Sequence, residues 1–304
     1  MAAKIMIQGT GSGRGKSLTV AILCRMLSNE GLKVAPFKSV NFTAVTYRDG
    51  GFEFGYSQAL QAVAARTKPS PLFNPITPKP WVDGTLTVFI MGKPVVKGVR
   101  LTSDYILTSG GGAGGHAATM QAFSEEAMEA VVREALSRLE EEYDVIVIEG
   151  SGPIKVRGLG AMSKAVEFAN MRVAKIAGAP VYMIANTPDS ARGMLSMLSD
   201  DELSMIKGLI VNPVEAFKIT EELGFKVTPE LAWSYGKAVY GDLGKPIVAV
   251  LPYLRELEGL PELDPVPAAP TVPLDLWDAM VEEIARRVKD YVDLDAIKRD
   301  AGLA

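Results

Sequence analysis

The stretch "GTGSGRGKS", residues 9–17, stands between the apolar run "KIMIQ" and the helical pattern "LTVAILCRMLSNEG". Its alternating glycines, with one lysine and one serine at the end, let several backbone N–H groups point at one anion. Glycine is required where a backbone takes positive φ or approaches a ligand closely. The positive N-terminal end of the following helix completes a phosphate cradle. In such a loop the lysine reaches the terminal phosphates and the hydroxyl sits on Mg²⁺. Those roles fall here on Lys16 and Ser17, and the expected nucleotide-contacting set is Gly11, Ser12, Gly13, Arg14, Gly15, Lys16, Ser17 and Leu18. The usual spacing runs from a first glycine over four residues to Gly-Lys-Ser/Thr. Thr10 takes the first-glycine position here, Gly9 lies one residue further back, and Gly11 stands where a subgroup of such loops carries a second lysine. The plainer alternative, a glycine-rich turn with a solvated lysine, leaves the strand before and the helix after unexplained.

A chain of 304 residues is long enough for a large buried core. Its net charge of −4 gives no electrostatic case for nucleic acid as a partner. The single cysteine, Cys24, lies among Ile22, Leu23 and Met26 and reads as a core residue. One cysteine can form neither an internal disulfide nor a thiolate metal cluster. The lone histidine, His116, makes a multi-histidine metal site improbable on composition and reads as incidental. No signal peptide precedes the first strand, and no apolar run reaches the roughly 20 residues that span a bilayer. The expectation is a cytoplasmic protein without a membrane partner.

Six apolar runs of strand length recur between helical patterns: "KIMIQ", "KVAPFK", "DVIVIEG", "PVYMIAN", "IKGLIVN" and "PIVAVLP". Runs without polar alternation suit a parallel sheet covered on both faces. After Ser124, Met128, Val131, Val132, Ala135 and Leu139 fall on one helical face, with Glu125 and Glu126 in the first turn. A further helix is expected from about Ser163 to Ala177, stopped by Gly178. "TLTVFIMGKPVVKGVRL" (85–101) reads as an edge hairpin, and "SGGGAGGH" (109–116) as a connection, with a lid or an anion nest as the alternative. "PELDPVPAAPTVP" (261–273) reads as a semi-rigid linker. Beyond it Trp277, Met280, Val281, Ile284, Val288, Tyr291 and Val292 share one helix face. That face can dock on its own domain or serve as a dimer or partner contact. The expected organisation is therefore an α/β domain over 1–260, the linker 261–273, and a C-terminal helix over 274–304.

Taken together and in order, "QGTGSGRGKS", "VAPFKSVNF", "DGGFEFGYSQALQAVAA", "FNPITPKP", "YDVIVIEGSG", "FANMRVAKIAGAPV" and "GKPIVAVLPYL" resemble the synthetase half of the cobyric acid synthase family, within the dethiobiotin synthetase-like P-loop group. The resemblance implies a mostly parallel sheet flanked by helices, ATP with Mg²⁺, and a cobalamin-biosynthesis ligase that amidates corrinoid carboxylates with ammonia from glutamine. Lys38 follows the second strand, at the strand C-terminal edge where ligands bind in such sheets, and a cation there suits a substrate carboxylate and the transferring phosphoryl group. Glu149 ends its strand beside the phosphate loop and reads as a Mg²⁺ ligand, against the alternative of a solvated loop acid. These two residues, with Lys16, form the expected catalytic set. The resemblance implies a metal-linked role for Glu53, although Glu53 and Asp49 also fit a simple acidic turn. It places Asn212 at the adenine edge, and Pro252 and Tyr253 in the loop closing over the base.

Two loops depart from the family. "NTPDSARGM" stands where an Asp-Arg-Gly-Gly loop is usual, with Asn186 first and Asp189 and Arg192 displaced, and "PVEA" replaces a basic segment after Asn212. The family's glutaminase half has no match in these residues. Ammonia is therefore expected free or from a separate glutaminase chain, with residues 277–292 as one docking surface and a homodimer as the expected assembly. The substrate is expected to be a small carboxylic acid, a corrinoid or a related one. A non-catalytic nucleotide-dependent switch or scaffold is the alternative from another functional class.

Overall fold

Strand β1 (Ala3–Gly9) runs through the glycine loop into helix α1 (Lys16–Asn29). Strand β2 (Val34–Phe37), the hairpin β3 (Thr46–Asp49) and β4 (Phe52–Gly55), and helix α2 (Tyr56–Ala64) follow. Next come strands β5 (Ile76–Pro80), β6 (Thr85–Ile90), β7 (Lys93–Leu101) and β8 (Leu107–Thr108), then helix α3 (Glu125–Glu142) and strand β9 (Val145–Glu149). Helices α4 (Ala161–Glu167) and α5 (Val173–Ala177) lead to strand β10 (Val181–Ala185). Helices α6 (Pro188–Leu195) and α7 (Asp200–Met205) lead to strand β11 (Ile206–Val211). Helices α8 (Val214–Glu222) and α9 (Pro229–Tyr240), strand β12 (Ile247–Val250), and helices α10 (Leu274–Val288) and α11 (Leu294–Asp300) complete the chain. The computed structural model describes residues 2–101, 107–108, 124–156, 161–258 and 271–303. The glycine run 109–116, with His116, and most of the proline-rich segment lie outside them.

The six apolar runs form one sheet in the order β12-β11-β10-β1-β9-β2, every pair parallel. Alternate side chains of each strand enter different cores. Ile5 and Ile7 join Val147, Tyr182, Ile184 and Ile210 beneath α1, α2 and α10. Met6 joins Ile146, Ile148, Met183 and Leu209 beneath α3, α6, α8 and α9. Helix α3 begins where its sequence signals it, with Ser124 Oγ accepting from Ala127 N–H. Gly178 ends α5 at φ 63°.

Two expectations need correction. Residues 85–101 do form a hairpin, but not at an edge of the parallel sheet. β5, β6, β7 and β8 make a separate antiparallel sheet, joined to the segment after β2 by a parallel bridge between Val40 and Ile76 and by Thr43 N–H donating to Pro78 O at 3.3 Å. Leu86, Val88 and Val96 are buried with Phe37, Val40 and Phe73, so these strands pack across the core instead of extending the main sheet.

The second correction concerns the C-terminal face, which takes the own-domain alternative and is not the exposed docking surface expected for a glutaminase. Trp277, Val281, Ile284 and Val288 are buried against α1 and α2, and Trp277 Nε1 donates to Leu60 O at 3.0 Å. Arg25 of α1, itself buried, pairs with Asp278 and, at 3.0 Å, with Glu282. The helix also stops earlier than the expected face. A 3₁₀ turn over Lys289–Tyr291 follows it, and Val292 pairs antiparallel with Ala249, beyond which Asp293 caps α11.

Trp277→Ala removes a fully buried side chain from this junction and is expected to cost about 3–5 kcal/mol. Denaturant unfolding measures it. A loss below about 1 kcal/mol would show that α10 adds little to the core.

Candidate nucleotide and phosphoryl-transfer site

Parallel strands bring their C-terminal ends to one edge, and most of the anticipated site residues sit there. β1 delivers the glycine loop, β2 delivers Lys38, β9 ends at Glu149, and β11 is followed by Asn212. Gly15, at the head of α1, has φ 95°, and a Cβ there would meet Asn212 Nδ2 at 2.8 Å. Only glycine combines that conformation with that approach. Asn212 Nδ2 in turn donates to Arg14 O at 3.1 Å and so braces the loop. Lys16 Nζ donates to Gly11 O at 2.7 Å and to Gly152 O at 2.9 Å, lying across the mouth of the turn.

The centre of the site is the Glu149 carboxylate, which is 1% exposed. Its Oε1 accepts from Ser17 Oγ–H at 2.9 Å and pairs with Lys38 Nζ at 2.9 Å. Its Oε2 accepts from Gln61 Nε2 at 2.6 Å. Burial pushes the carboxyl up, but the Lys38 ammonium, the hydrogen bonds from Lys38 and Gln61 and the nearby Lys16 charge outweigh it. The group is held below the ordinary glutamate range. Glu149 is therefore an ionised acid inside the protein and not a solvated loop residue. Among the described residues no group of three or more His, Cys, Asp or Glu side chains could cage a metal. One carboxylate beside one hydroxyl suits Mg²⁺, which keeps several waters and takes much of its coordination from substrate phosphates.

A cavity of about 770 Å³ adjoins the loop, with Gly13, Leu18, Asn212, Pro252, Tyr253 and Val288 among its walls. That size lies within the ~300–1,000 Å³ of small-molecule sites. Pro252 and Tyr253 thus share one cavity with the glycine loop, and the buried Val288 of α10 lies behind its wall.

Glu53 bonds to a different set of residues. Its carboxylate accepts from Thr46 Oγ1 and pairs with Lys79 and with Arg48 Nε at 3.1 Å, so its hydrogen bonds reach the antiparallel strands and not Ser17 or Glu149. Burial raises its pKa, but the bonds to Lys79, Thr46 and Arg48 bring it below the ordinary value. Asp49 is exposed at the tip of the β3–β4 hairpin. In the departing loop, Thr187 caps α6, while Arg192 pairs with Asp189 at 3.4 Å and Asp242 at 2.6 Å on the surface.

Two residues of the site escape a reading of the sequence by motif. Gln61 of α2 bonds both Glu149 and Ser17 O. Its signal in the sequence is polarity within a buried helix: Ser57, Gln58 and Gln61 are all buried among the alanines and Leu60 of α2. Asn170 holds the loop after Glu149 through Ser151 and Pro153.

Residues 5–262 match the family described as CobQ/CobB/MinD/ParA nucleotide binding domain, and the chain belongs to that family. Its fold is accordingly that of a P-loop nucleotide-binding domain with a mostly parallel sheet. Within that family it is similar to cobyric acid synthases: 33% identical to that of Pelotomaculum thermopropionicum over 100% of this chain and 53% of the relative. A probable cobyric acid synthase of Thermococcus kodakarensis is 34% identical over 91% of this chain and 51% of its own length. The chain spans about half the length of the curated relatives it matches. The septum site-determining protein MinD of Pyrococcus horikoshii, complexed with Mg-ADP, covers 99% of this chain and 95% of its own, at a TM-score of 0.40 and 14% identity. No described helix is long and apolar enough to cross a membrane.

The depressed Glu149 pKa has a sign that can be tested. The charged carboxylate contributes stability above the ordinary value of 4.5, and that contribution is lost as the pH falls through the lower folded-state value. Glu149→Gln removes the counter-charge that Lys38 has here and is expected to be about 3–5 kcal/mol less stable at neutral pH. The difference from wild type should narrow on acidification. Denaturant melts across the acid range check this, and a constant difference would mean that the charge of Glu149 is not what stabilises the cluster.

Proposed function

We propose that this chain binds ATP with Mg²⁺ and phosphorylates a carboxylate for amide formation, as a cobyric acid synthase-like synthetase acting on a corrinoid or related acid. The observation that carries the reading is the meeting of Ser17 and Lys38 at one oxygen of a buried, ionised Glu149, beside Lys16. Phosphoryl transfer needs positioning and charge neutralisation more than covalent help from the protein.

Lys16 and the loop amides hold the phosphate chain. Ser17 and Glu149 would hold the Mg²⁺, which would supply charge neutralisation on the phosphates. Lys38 steadies the acid substrate and the transferring group. A substrate carboxylate oxygen attacks the γ-phosphorus and ADP leaves, giving an acyl phosphate. Ammonia then attacks the acyl carbon, phosphate departs, and the amide remains. The pocket lined by Pro252 and Tyr253 takes the adenine.

A second reading, a nucleotide-dependent switch, is favoured by one observation. Asp189 and Arg192, displaced from the family pattern, pair with surface partners and do not join the Glu149 cluster. Hydroxylamine trapping separates the two. With ATP, Mg²⁺ and a panel of carboxylic acids that includes corrinoid acids, a ligase yields a hydroxamate, and Lys16→Ala abolishes it together with most nucleotide binding. ATP binding without hydroxamate from any acid would support the switch instead.

The nitrogen source follows from Cys24, the only cysteine of these 304 residues. It is buried inside α1, and burial, with a smaller push from Glu149, raises its thiol pKa far from thiolate formation. The chain by itself is expected to release no glutamate from glutamine, so the ammonia for amidation comes from outside these 304 residues. Glutamate release by the purified chain, with or without Cys24→Ser, would defeat that expectation.

A further inference from the structure

Between α4 and α5 the helix is interrupted by a π-turn over Phe168–Arg172, and Asn170 within it has φ −106° and ψ −108°, outside the helical range. π-turns are rare and are found often where a side chain must be set for function. Asn170 is fully buried, and its amide is directed almost wholly at the loop that leaves Glu149. Oδ1 accepts from Ser151 N–H at 3.0 Å. Nδ2 donates to Ser151 O at 2.9 Å and Pro153 O at 2.8 Å, and turns back on its own helix at Val166 O, 3.0 Å away. The fit is close enough that a Cβ at Gly150 would lie 2.5 Å from Asn170 Oδ1.

The loop so held reaches the phosphate-binding turn. Gly150 N–H donates to Ile7 O at 2.8 Å and Ile154 N–H to Gly9 O at 2.9 Å, both on the strand that feeds that turn. Between them stands Gly152, whose carbonyl accepts from Lys16 Nζ. A regular α-helix through 168–172 would follow a different backbone path and would not present the Asn170 amide in this way.

We propose that Asn170 is a positioning residue for the phosphate-binding lysine. Through the 150–153 loop it fixes the Gly152 carbonyl, and through that carbonyl the Lys16 ammonium. The proposal rests on the reading of Lys16 as the lysine that meets the β- and γ-phosphates. Asn170 touches no substrate in this scheme, so its effect is confined to ligands that use Lys16.

That confinement supplies the test. Affinities of wild type, Asn170→Ala and Asn170→Asp are measured for MgATP by calorimetry and for AMP, which lacks the β- and γ-phosphates, by NMR titration. Asn170→Asp keeps the acceptor for Ser151 N–H and loses the donor to Ser151 O and Pro153 O. MgATP affinity should fall about tenfold in each variant, while AMP affinity stays within about twofold. Equal losses for the two nucleotides would mark Asn170 as a general structural clamp and overturn the proposal, as would unchanged MgATP binding. If Asn170→Ala does not fold, Asn170→Asp carries the comparison; failure of both to fold also overturns it. A wild type that binds neither nucleotide is a different result: it refutes the nucleotide site itself, and this proposal with it.

Discussion

A negative charge buried at the end of β9 is the constraint on which the site depends. An ionised carboxylate in a protein interior is costly unless it is paired and fully hydrogen-bonded. Glu149 meets both conditions through side chains drawn from three separate segments: Ser17 on α1, Gln61 on α2 and Lys38 after β2. Each must arrive in register, so the packing of α1 and α2 on the sheet and the order of β1, β9 and β2 are all committed to one point. The glycine loop inherits its position from the same arrangement, because Ser17 belongs to both.

Much of this was legible along the chain, for physical reasons that differ from element to element. The six parallel strands could be read because strands covered on both faces must be apolar without alternation. The loop could be read because its glycines and Lys16 have few other uses between a strand and a helix. Lys38 and Glu149 were legible by place, each lying at a strand end on the edge where parallel sheets bind ligands.

What was not legible depends on contacts between residues remote in sequence. An amphipathic stripe such as Trp277 to Val288 states that something covers it and not what. Here the cover is α1 and α2, locked by the buried Arg25. The second sheet was read as an edge because strand patterns do not say which sheet they join. Asn170 looked like any polar residue in a helix, and its role emerges only when Ser151, 19 residues away in sequence, is seen to need both of its backbone groups satisfied. Glu53 has a metal-linked role by resemblance alone, and its bonds to Lys79 and Arg48 cannot be foreseen from its motif.

Val288 on the wall of the pocket gives the C-terminal segment a thermodynamic place in ligand binding. Val288 is itself fully buried and backs that wall from the core, so to the extent that docked α10 shapes the pocket, a molecule that fills it binds the docked form in preference to any undocked one. Reciprocity then requires that occupancy tighten the docking of α10 by the same free energy with which docking tightens the ligand. Sequence distance is no barrier to such coupling: the glycine loop near the start of the chain and a helix near its end share one equilibrium.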